Sequence, residues 1–190
     1  MVMRTHVGLM RGINVGGHNR LAMSDLREIV TGLGFSDVVT YIQSGNVVFS
    51  CIETDCTQLS TQLEQAITDR SSVRTGVVVL SRPQLRSVVA DNPYPQETNP
   101  KCLHVVFHRD QISRATAETV TAAVQRARGK GSRDDATVIG SSLYLRTPDG
   151  LGRSVLAAEL SRPPAATATE VVNTMRNWAT VTRLMALLDD

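Results

Sequence analysis

The chain has 190 residues, of which 42% are hydrophobic, 20% charged and 4% aromatic, and these proportions are typical of a globular protein. The 20 lysines and arginines nearly balance 18 acidic residues, so the net charge of +2 argues against nucleic acid as a partner. No apolar stretch approaches the roughly 18 residues of a membrane span, and the first residues lack a signal-peptide pattern, so we expect a cytoplasmic protein without membrane association.

A strand, a Gly-rich loop and a helix are predicted first. The apolar residues of 4–13 favour a strand, which the turn formers of 14–19 end. Ser24 is the predicted N-cap of the helix, whose apolar face has helical spacing at Leu26, Ile29, Val30 and Leu33. Gly34 is predicted to end this helix in the left-handed conformation.

A hairpin is predicted next. Strand patterns at 38–43 and 47–51 flank Ser44-Gly45-Asn46, and Gly and Asn tolerate the positive φ of a tight turn. A second amphipathic helix follows around Leu59, Leu63 and Ile67, and the apolar run 76–80 predicts a central strand. The order is then β-α-β-β-α-β, and Ser81-Arg82-Pro83 opens a short further helix.

The Pro-rich segment 93–100 is a predicted linker between domains of residues 1–92 and 101–190. The second half repeats the order, with a strand at 102–108, a helix at 111–128, a hairpin at 137–146 and a helix at 153–160. A short last strand is predicted at 166–172 and a final helix at 173–188, with Met175, Trp178 and Val181 on its core face.

Neither the cysteines nor the histidines predict a metal site or a cofactor. Cys51, Cys56 and Cys102 are odd in number and lack CxxC spacing, which favours free thiols over a disulfide framework or a zinc ribbon. His104 and His108 lie four residues apart in a predicted strand, about 13 Å, which is too far for one zinc ion.

Three sequence motifs occur in order along the chain: Arg11-Gly-Ile-Asn-Val-Gly-Gly17, Thr40-Tyr-Ile-Gln-Ser-Gly-Asn-Val-Val-Phe49 and Arg176-Asn-Trp-Ala-Thr-Val-Thr-Arg-Leu184. On the basis of these motifs, the chain resembles the bacterial domain of unknown function 1697 family over its whole length. The resemblance implies an α+β fold of two ferredoxin-like halves with antiparallel sheets and an extra C-terminal helix, and it implies no activity. His18 stands where many members have Lys, and it is charged only near or below about pH 6.5.

The loop after the first predicted strand is the main candidate for a binding site. Consecutive glycines expose peptide N–H groups between basic side chains, an arrangement that can hold an anion. The loop lacks the P-loop and Rossmann patterns, so no nucleotide is specified. A purely structural reading is also open, in which the glycines permit a tight turn and the asparagine bonds its own backbone. The candidate residues here are Arg11, Asn14, Gly16, Gly17, His18 and Arg20.

Two other groups of residues could contact the same ligand. Gln43, Ser44 and Asn46 form the polar tip of the first hairpin, although turn chemistry alone also explains them. Arg176, Asn177 and Arg183 lie away from the predicted core face of the last helix, so they are available for a ligand or for a contact between domains.

These candidates leave three functions open. The first is binding of a small phosphate- or carboxylate-bearing ligand at the Gly-rich loop. The second is an enzyme acting on a phosphorylated or acyl substrate at that loop, with His18 as acid or base. The third is a protein-interaction module, including a homo-oligomer, that presents a strand edge or the last helix.

Overall fold

A computed structural model describes residues 4–16, 19–161 and 171–190. The elements in chain order are β1 (His6–Met10), α1 (Met23–Gly32), β2 (Ser36–Tyr41), β3 (Asn46–Ser50), α2 (Cys56–Arg70), β4 (Val77–Ser81), α3 (Arg82–Ala90), β5 (Leu103–His108), α4 (Arg114–Gly129), β6 (Asp135–Ile139), β7 (Ser142–Arg146), a 3₁₀ turn (Leu151–Arg153), α5 (Val155–Leu160), β8 (Asn173–Asn177) and α6 (Trp178–Asp189).

Two four-stranded sheets form the framework. The strand orders are β2-β3-β1-β4 and β6-β7-β5-β8, so each sheet places the first strand of its half between the third and the fourth. This strand order for β-α-β-β-α-β elements is the ferredoxin-like arrangement. The predicted α+β fold with two antiparallel, ferredoxin-like halves is therefore confirmed.

The chain divides into two compact units. The first takes its described residues from Met1–Val89, Val172–Thr174 and Thr182–Asp190, and the second takes them from Ala90–Val171 and Met175–Val181. The last helix therefore contributes its first turn to the second unit and its remaining residues to the first. In the first unit its end is held by an ion pair between Arg82 and Asp189 and by a 2.8 Å hydrogen bond from Arg4 Nη1 to the carbonyl of Leu187.

Strand pairing in the first unit brings three chain segments to one end of the sheet. β1 pairs antiparallel with β3 and β4, with Leu9 opposite Asn46 and Met10 opposite Val77. The end of β1 therefore lies beside the start of both neighbours. The Gly-rich loop, the tip of the first hairpin and residues 74–76 consequently meet at this end.

Two local predictions in this unit need correction. The N-cap of α1 is Ala22, which has an extended backbone, and not Ser24 as predicted. Ser24 lies inside the first turn, and its hydroxyl donates a hydrogen bond to Asp25 Oδ1. β2 ends at Tyr41 rather than at residue 43, because the chain enters the turn at Ile42 with a φ of +49°. The predicted left-handed Gly34 is confirmed, with a φ of +85°.

The predicted final helix at 173–188 is wrong over its first five residues. Residues 173–177 are a strand, not the start of the final helix, and residues 166–170 of the predicted last strand lie outside the described residues. Thr174 and Arg176 are buried while Met175 between them is 39% exposed, which is the two-residue alternation of a strand. Met175 is consequently not a core residue, and the helix begins at Trp178, which is half-buried.

A buried carboxylate ties α5 to α4 in the second unit. The Glu159 side chain is 4% exposed and accepts hydrogen bonds from Arg126 Nε at 3.2 Å and Lys130 Nζ at 2.6 Å. We expect Glu159→Gln to lower the free energy of unfolding by about 1–2 kcal/mol, because a neutral amide loses two charge-assisted bonds while the half-exposed cations stay hydrated. Urea unfolding measures this change. Glu118→Gln, which breaks the exposed pair with Arg114, is the control and should cost less than about 0.5 kcal/mol; equal losses would contradict the assignment.

Candidate functional site

The Gly-rich loop leaves β1 in a series of left-handed conformations. Gly12 and Gly16 have φ values of +62° and +60°, and Asn14 between them has +57°. The backbone of Arg11 anchors the start of the loop, because its N–H lies 2.9 Å from the carbonyl of Gly76 and 3.1 Å from Thr75 Oγ1. The loop is thus fastened to the segment that precedes β4.

Asn14 joins this loop to the hairpin tip. Its Nδ2 donates to the carbonyls of Leu21 and Gln43, each at 2.8 Å, and its Oδ1 accepts from the N–H of Leu21 at 2.9 Å. Its own N–H donates to the carbonyl of Asn19 at 3.0 Å. With its amide occupied in this way, Asn14 acts as a positioning residue for the two loops.

The hairpin tip is held from within. Asn46 is fully buried, and its Nδ2 donates to the carbonyl of Tyr41 and to Ser44 Oγ, each at 3.0 Å. The carbonyl of Gly45 accepts from the N–H of Met10 at 2.9 Å, which attaches the tip to β1. Of the three predicted tip residues, Gln43 alone has an exposed side chain.

Three arginines lie on the segments that meet at this end of the sheet. Arg11, Arg20 and Arg74 are exposed, and the structure gives their guanidinium groups no hydrogen bond or ion pair with any described residue. Within the same described ranges, the N–H groups of Gly12 and Gly16 likewise have no partner. We call these five residues the basic edge: Arg11, Gly12, Gly16, Arg20 and Arg74.

Arg74 is a member of the basic edge that sequence reasoning missed. Arg11 and Arg74 are far apart in sequence, and the pairing of β1 with β4 brings them to the same end of the sheet. The ferredoxin-like fold implied by the family resemblance could have indicated this, since such a sheet sets the start of its fourth strand beside the end of its first. Gly17 and His18, which the sequence also nominated, lie outside the described residues.

The C-terminal candidates are divided between the two units. Arg176 and Asn177 belong to the second unit and Arg183 to the first. Arg176 is 7% exposed, its Nη1 donates to the carbonyl of Met175 at 2.8 Å, and burial lowers its pKa to about 10. Asn177 Oδ1 accepts from the N–H of Thr180 at 2.9 Å, which caps α6, and Arg183 is exposed.

A cysteine and a histidine lie together at the other end of the first sheet. Cys51 Sγ is 3.4 Å from His6 Nδ1, which is also 2.8 Å from Thr5 Oγ1. Burial raises the pKa of the Cys51 thiol and lowers the pKa of His6, so the pair is neutral at pH 7 rather than a thiolate with an imidazolium. Cys51, Cys56 and Cys102 are all free, and the first two are half-buried.

Two buried histidines and one half-buried histidine predict a loss of stability in acid. Burial lowers the pKa values of His6, His104 and His108 below 6.5, although Glu53 partly opposes this at His6. Below pH 6.5 the unfolded chain therefore binds more protons than the folded chain, and the free energy of unfolding falls as the pH decreases through this value.

His104→Gln tests this, because His104 Nδ1 is buried and has no hydrogen-bond partner among the described residues. We expect urea unfolding between pH 7.5 and 5 to show a shallower decline for the variant than for the parent chain. If the free energy of unfolding declines equally in the variant and in the parent chain, His104 does not contribute to the loss of stability in acid.

Several other features bear on the function. No group of three or more His, Cys, Asp and Glu within the described ranges is placed to hold a metal ion. In the same part of the chain, no helix has both the length and the hydropathy needed to cross a bilayer. A shallow groove on α1, lined by Ser24, Arg27, Glu28, Thr31 and Gly32, contains none of the predicted site residues.

Comparison with known proteins places the chain in a family. No curated protein matches the sequence. A solved structure of a conserved bacterial protein from Streptococcus pneumoniae is similar, with a TM-score of 0.73 and 23% sequence identity, over 98% of this chain and 99% of that one. This similarity shows the shared fold. The family model described as "Protein of unknown function (DUF1697)" matches residues 3–144, and the chain therefore belongs to that family.

Proposed function

We propose that the chain is a bacterial cytoplasmic protein that binds a small phosphate- or carboxylate-bearing ligand at the basic edge. The observation that carries this proposal is a set of donors that have no partner among the described residues: the exposed guanidinium groups of Arg11, Arg20 and Arg74 and the N–H groups of Gly12 and Gly16. Guanidinium groups bind carboxylate and phosphate through two parallel hydrogen bonds, and left-handed turns aim N–H groups at an anion.

The way the loop is anchored also supports a small anion. Thr75 Oγ1 donates to the carbonyl of Arg11 at 2.7 Å and accepts from its N–H, so the backbone of this arginine is held on both sides. The Asn14 amide holds the other side of the loop against the hairpin. Residues that are held in place before binding lose less conformational entropy when they bind a ligand.

The nearby carboxylate of Glu64 does not remove the basic character of this edge. Its Oε1 accepts from the N–H of Val77 at 2.7 Å, so it is held at the start of β4. The three arginines of the basic edge outnumber this carboxylate, and an anionic ligand would balance their charge.

The cytoplasmic part of the proposal is supported by the cysteines. All three thiols are free, as is usual in a reducing compartment. The bacterial part is supported by the similar fold of the streptococcal protein.

Arg11→Ala tests the binding site. We expect calorimetric titration with inorganic phosphate and with acetyl phosphate to show saturable binding to the parent chain. The variant should bind about ten- to a hundredfold more weakly, because one charge-assisted contact is lost. Arg114→Ala is the matched control, since that side chain is 93% exposed and lies in the second unit.

Either of two results would contradict the proposal: no saturable binding to the parent chain, or equal binding to the parent and to Arg11→Ala. Release of acetate from acetyl phosphate faster than its spontaneous hydrolysis, and lost in Arg11→Ala, would instead identify the site as an enzyme acting on acyl phosphates.

A further inference from the structure

Two exposed aliphatic side chains flank the point where the Gly-rich loop meets the hairpin. Val15 is 66% exposed and Ile42 is 49% exposed. Val15 directly follows Asn14, and Ile42 directly precedes Gln43. Asn14 and Gln43 are joined by a 2.8 Å hydrogen bond from Asn14 Nδ2 to the Gln43 carbonyl. Both aliphatic residues are therefore one position away from the same hydrogen bond.

Ile42 holds its exposed position at a conformational cost. Its φ of +49° lies in the left-handed region, where a β-branched side chain is a genuine outlier. Asparagine or glycine would make this turn with less strain and without exposing an aliphatic group to water. Turn formation therefore does not account for isoleucine at this position, where about half of the side chain is exposed to water.

The same end of the sheet carries the guanidinium groups of the basic edge. Arg11 directly follows β1, and its N–H is bonded to residues 75 and 76 on one side. On the other side of β1, the N–H of Met10 is bonded to Gly45 of the hairpin tip. Positive charge and exposed aliphatic surface thus occur together on adjoining segments of one sheet end.

We propose that the basic edge binds an anionic group that carries an apolar substituent, such as an alkyl or aryl phosphate, whose apolar part lies on Val15 and Ile42. This inference rests on the proposed anion binding and specifies its ligand class. The guanidinium groups recognise the anion, and the substituent removes the two aliphatic side chains from water. A small inorganic anion alone would leave both of them exposed.

A series of alkyl phosphates tests the inference. Calorimetric titration with inorganic, methyl, butyl and hexyl phosphate, each below its aggregation concentration, should show tighter binding as the chain lengthens. Each methylene that is buried should tighten binding up to about fourfold. Ile42→Asn should bind inorganic phosphate as the parent does and should lose most of the gain with chain length, and it should fold because asparagine tolerates positive φ.

Ile52→Asn is the matched control for this series. Ile52 is fully exposed and follows β3, at the end of the first sheet opposite to the hairpin tip. Its variant should keep the whole gain with chain length. A parent chain that binds every phosphate of the series equally would overturn the inference and leave anion binding intact, whereas a chain that binds none of them would overturn both.

A second experiment, vesicle co-sedimentation, distinguishes two sources of such a ligand. Co-sedimentation with phosphatidylcholine vesicles containing phosphatidic acid, lost in both Arg11→Ala and Ile42→Asn, would identify a lipid headgroup with its acyl chains as the source. Binding of hexyl phosphate without co-sedimentation would identify a soluble ester. Co-sedimentation that persists in both variants, together with equal affinities along the phosphate series, would overturn the inference.

Discussion

Replacing Gly45 with alanine is expected to lower the free energy of unfolding by about 3 kcal/mol or more. Gly45 has a φ of +74°, and the left-handed conformation costs a residue with a Cβ atom about 1–2 kcal/mol. A Cβ atom at this position would lie 2.6 Å from Ile13 Cδ1 and 2.8 Å from Met10 Cβ. Overpacking of this kind typically costs about 1–3 kcal/mol, because Met10 Cβ belongs to a strand and cannot move freely.

Gly140→Ala separates the two contributions to this loss. Gly140 is the corresponding hairpin glycine of the second unit, with a φ of +60°, and a Cβ atom there would meet only the Gln111 side chain at 3.7 Å. Its replacement should lower the free energy of unfolding by about 1–2 kcal/mol, which is the cost of the left-handed conformation without any overpacking. Urea unfolding followed by circular dichroism measures both variants, and equal losses would show that close packing against β1 contributes nothing.

Asn14→Ala is expected to lower the free energy of unfolding by about 2–3 kcal/mol and to weaken phosphate binding at the same time. The variant loses three side-chain hydrogen bonds and leaves the Gln43 carbonyl and the Leu21 N–H without their partner. Alanine is also less tolerant than asparagine of the φ of +57° at this position. Because the Asn14 amide holds the loop against the hairpin, its loss should loosen the loop and reduce phosphate affinity.

Asn99→Ala is the control for this variant, since Asn99 is exposed and its Oδ1 accepts one bond, from the N–H of Lys101 at 3.1 Å. It should cost less than about 1 kcal/mol and leave phosphate binding unchanged. Asn14→Asp adds a second comparison, because it keeps the acceptor for Leu21 and loses the donor to Gln43. Unchanged phosphate affinity in both Asn14 variants would contradict the positioning role.

Local signals were sufficient for most of the fold. The hairpin around Gly45 and the left-handed Gly34 follow from turn chemistry, which acts within a few residues. The apolar spacing of α1 and α2 likewise follows from a one-sided contact with the sheet. The family resemblance added the ferredoxin-like strand order, which these local patterns do not specify.

The last strand shows where local signals fail. Met175, Trp178 and Val181 have helical spacing in the sequence, yet residues 173–177 pair beside β5 as β8. Thr174 also donates a buried hydrogen bond to the carbonyl of Met10 at 3.2 Å. Pairing with distant strands therefore outweighs the local periodicity here, as it often does for short segments.

The sequence by itself determined the α+β class and the two β-α-β-β-α halves, because periodicity and turn residues act over short distances. It also nominated the Gly-rich loop for an anion, from its glycines and the basic residues beside them. The tertiary structure decided which residues meet. It brought the segment of Arg74 to the Gly-rich loop, bonded the Asn14 amide to the hairpin, and buried Arg176. Contacts between residues far apart in the chain depend on strand order and register, and those are set only when the whole sheet assembles.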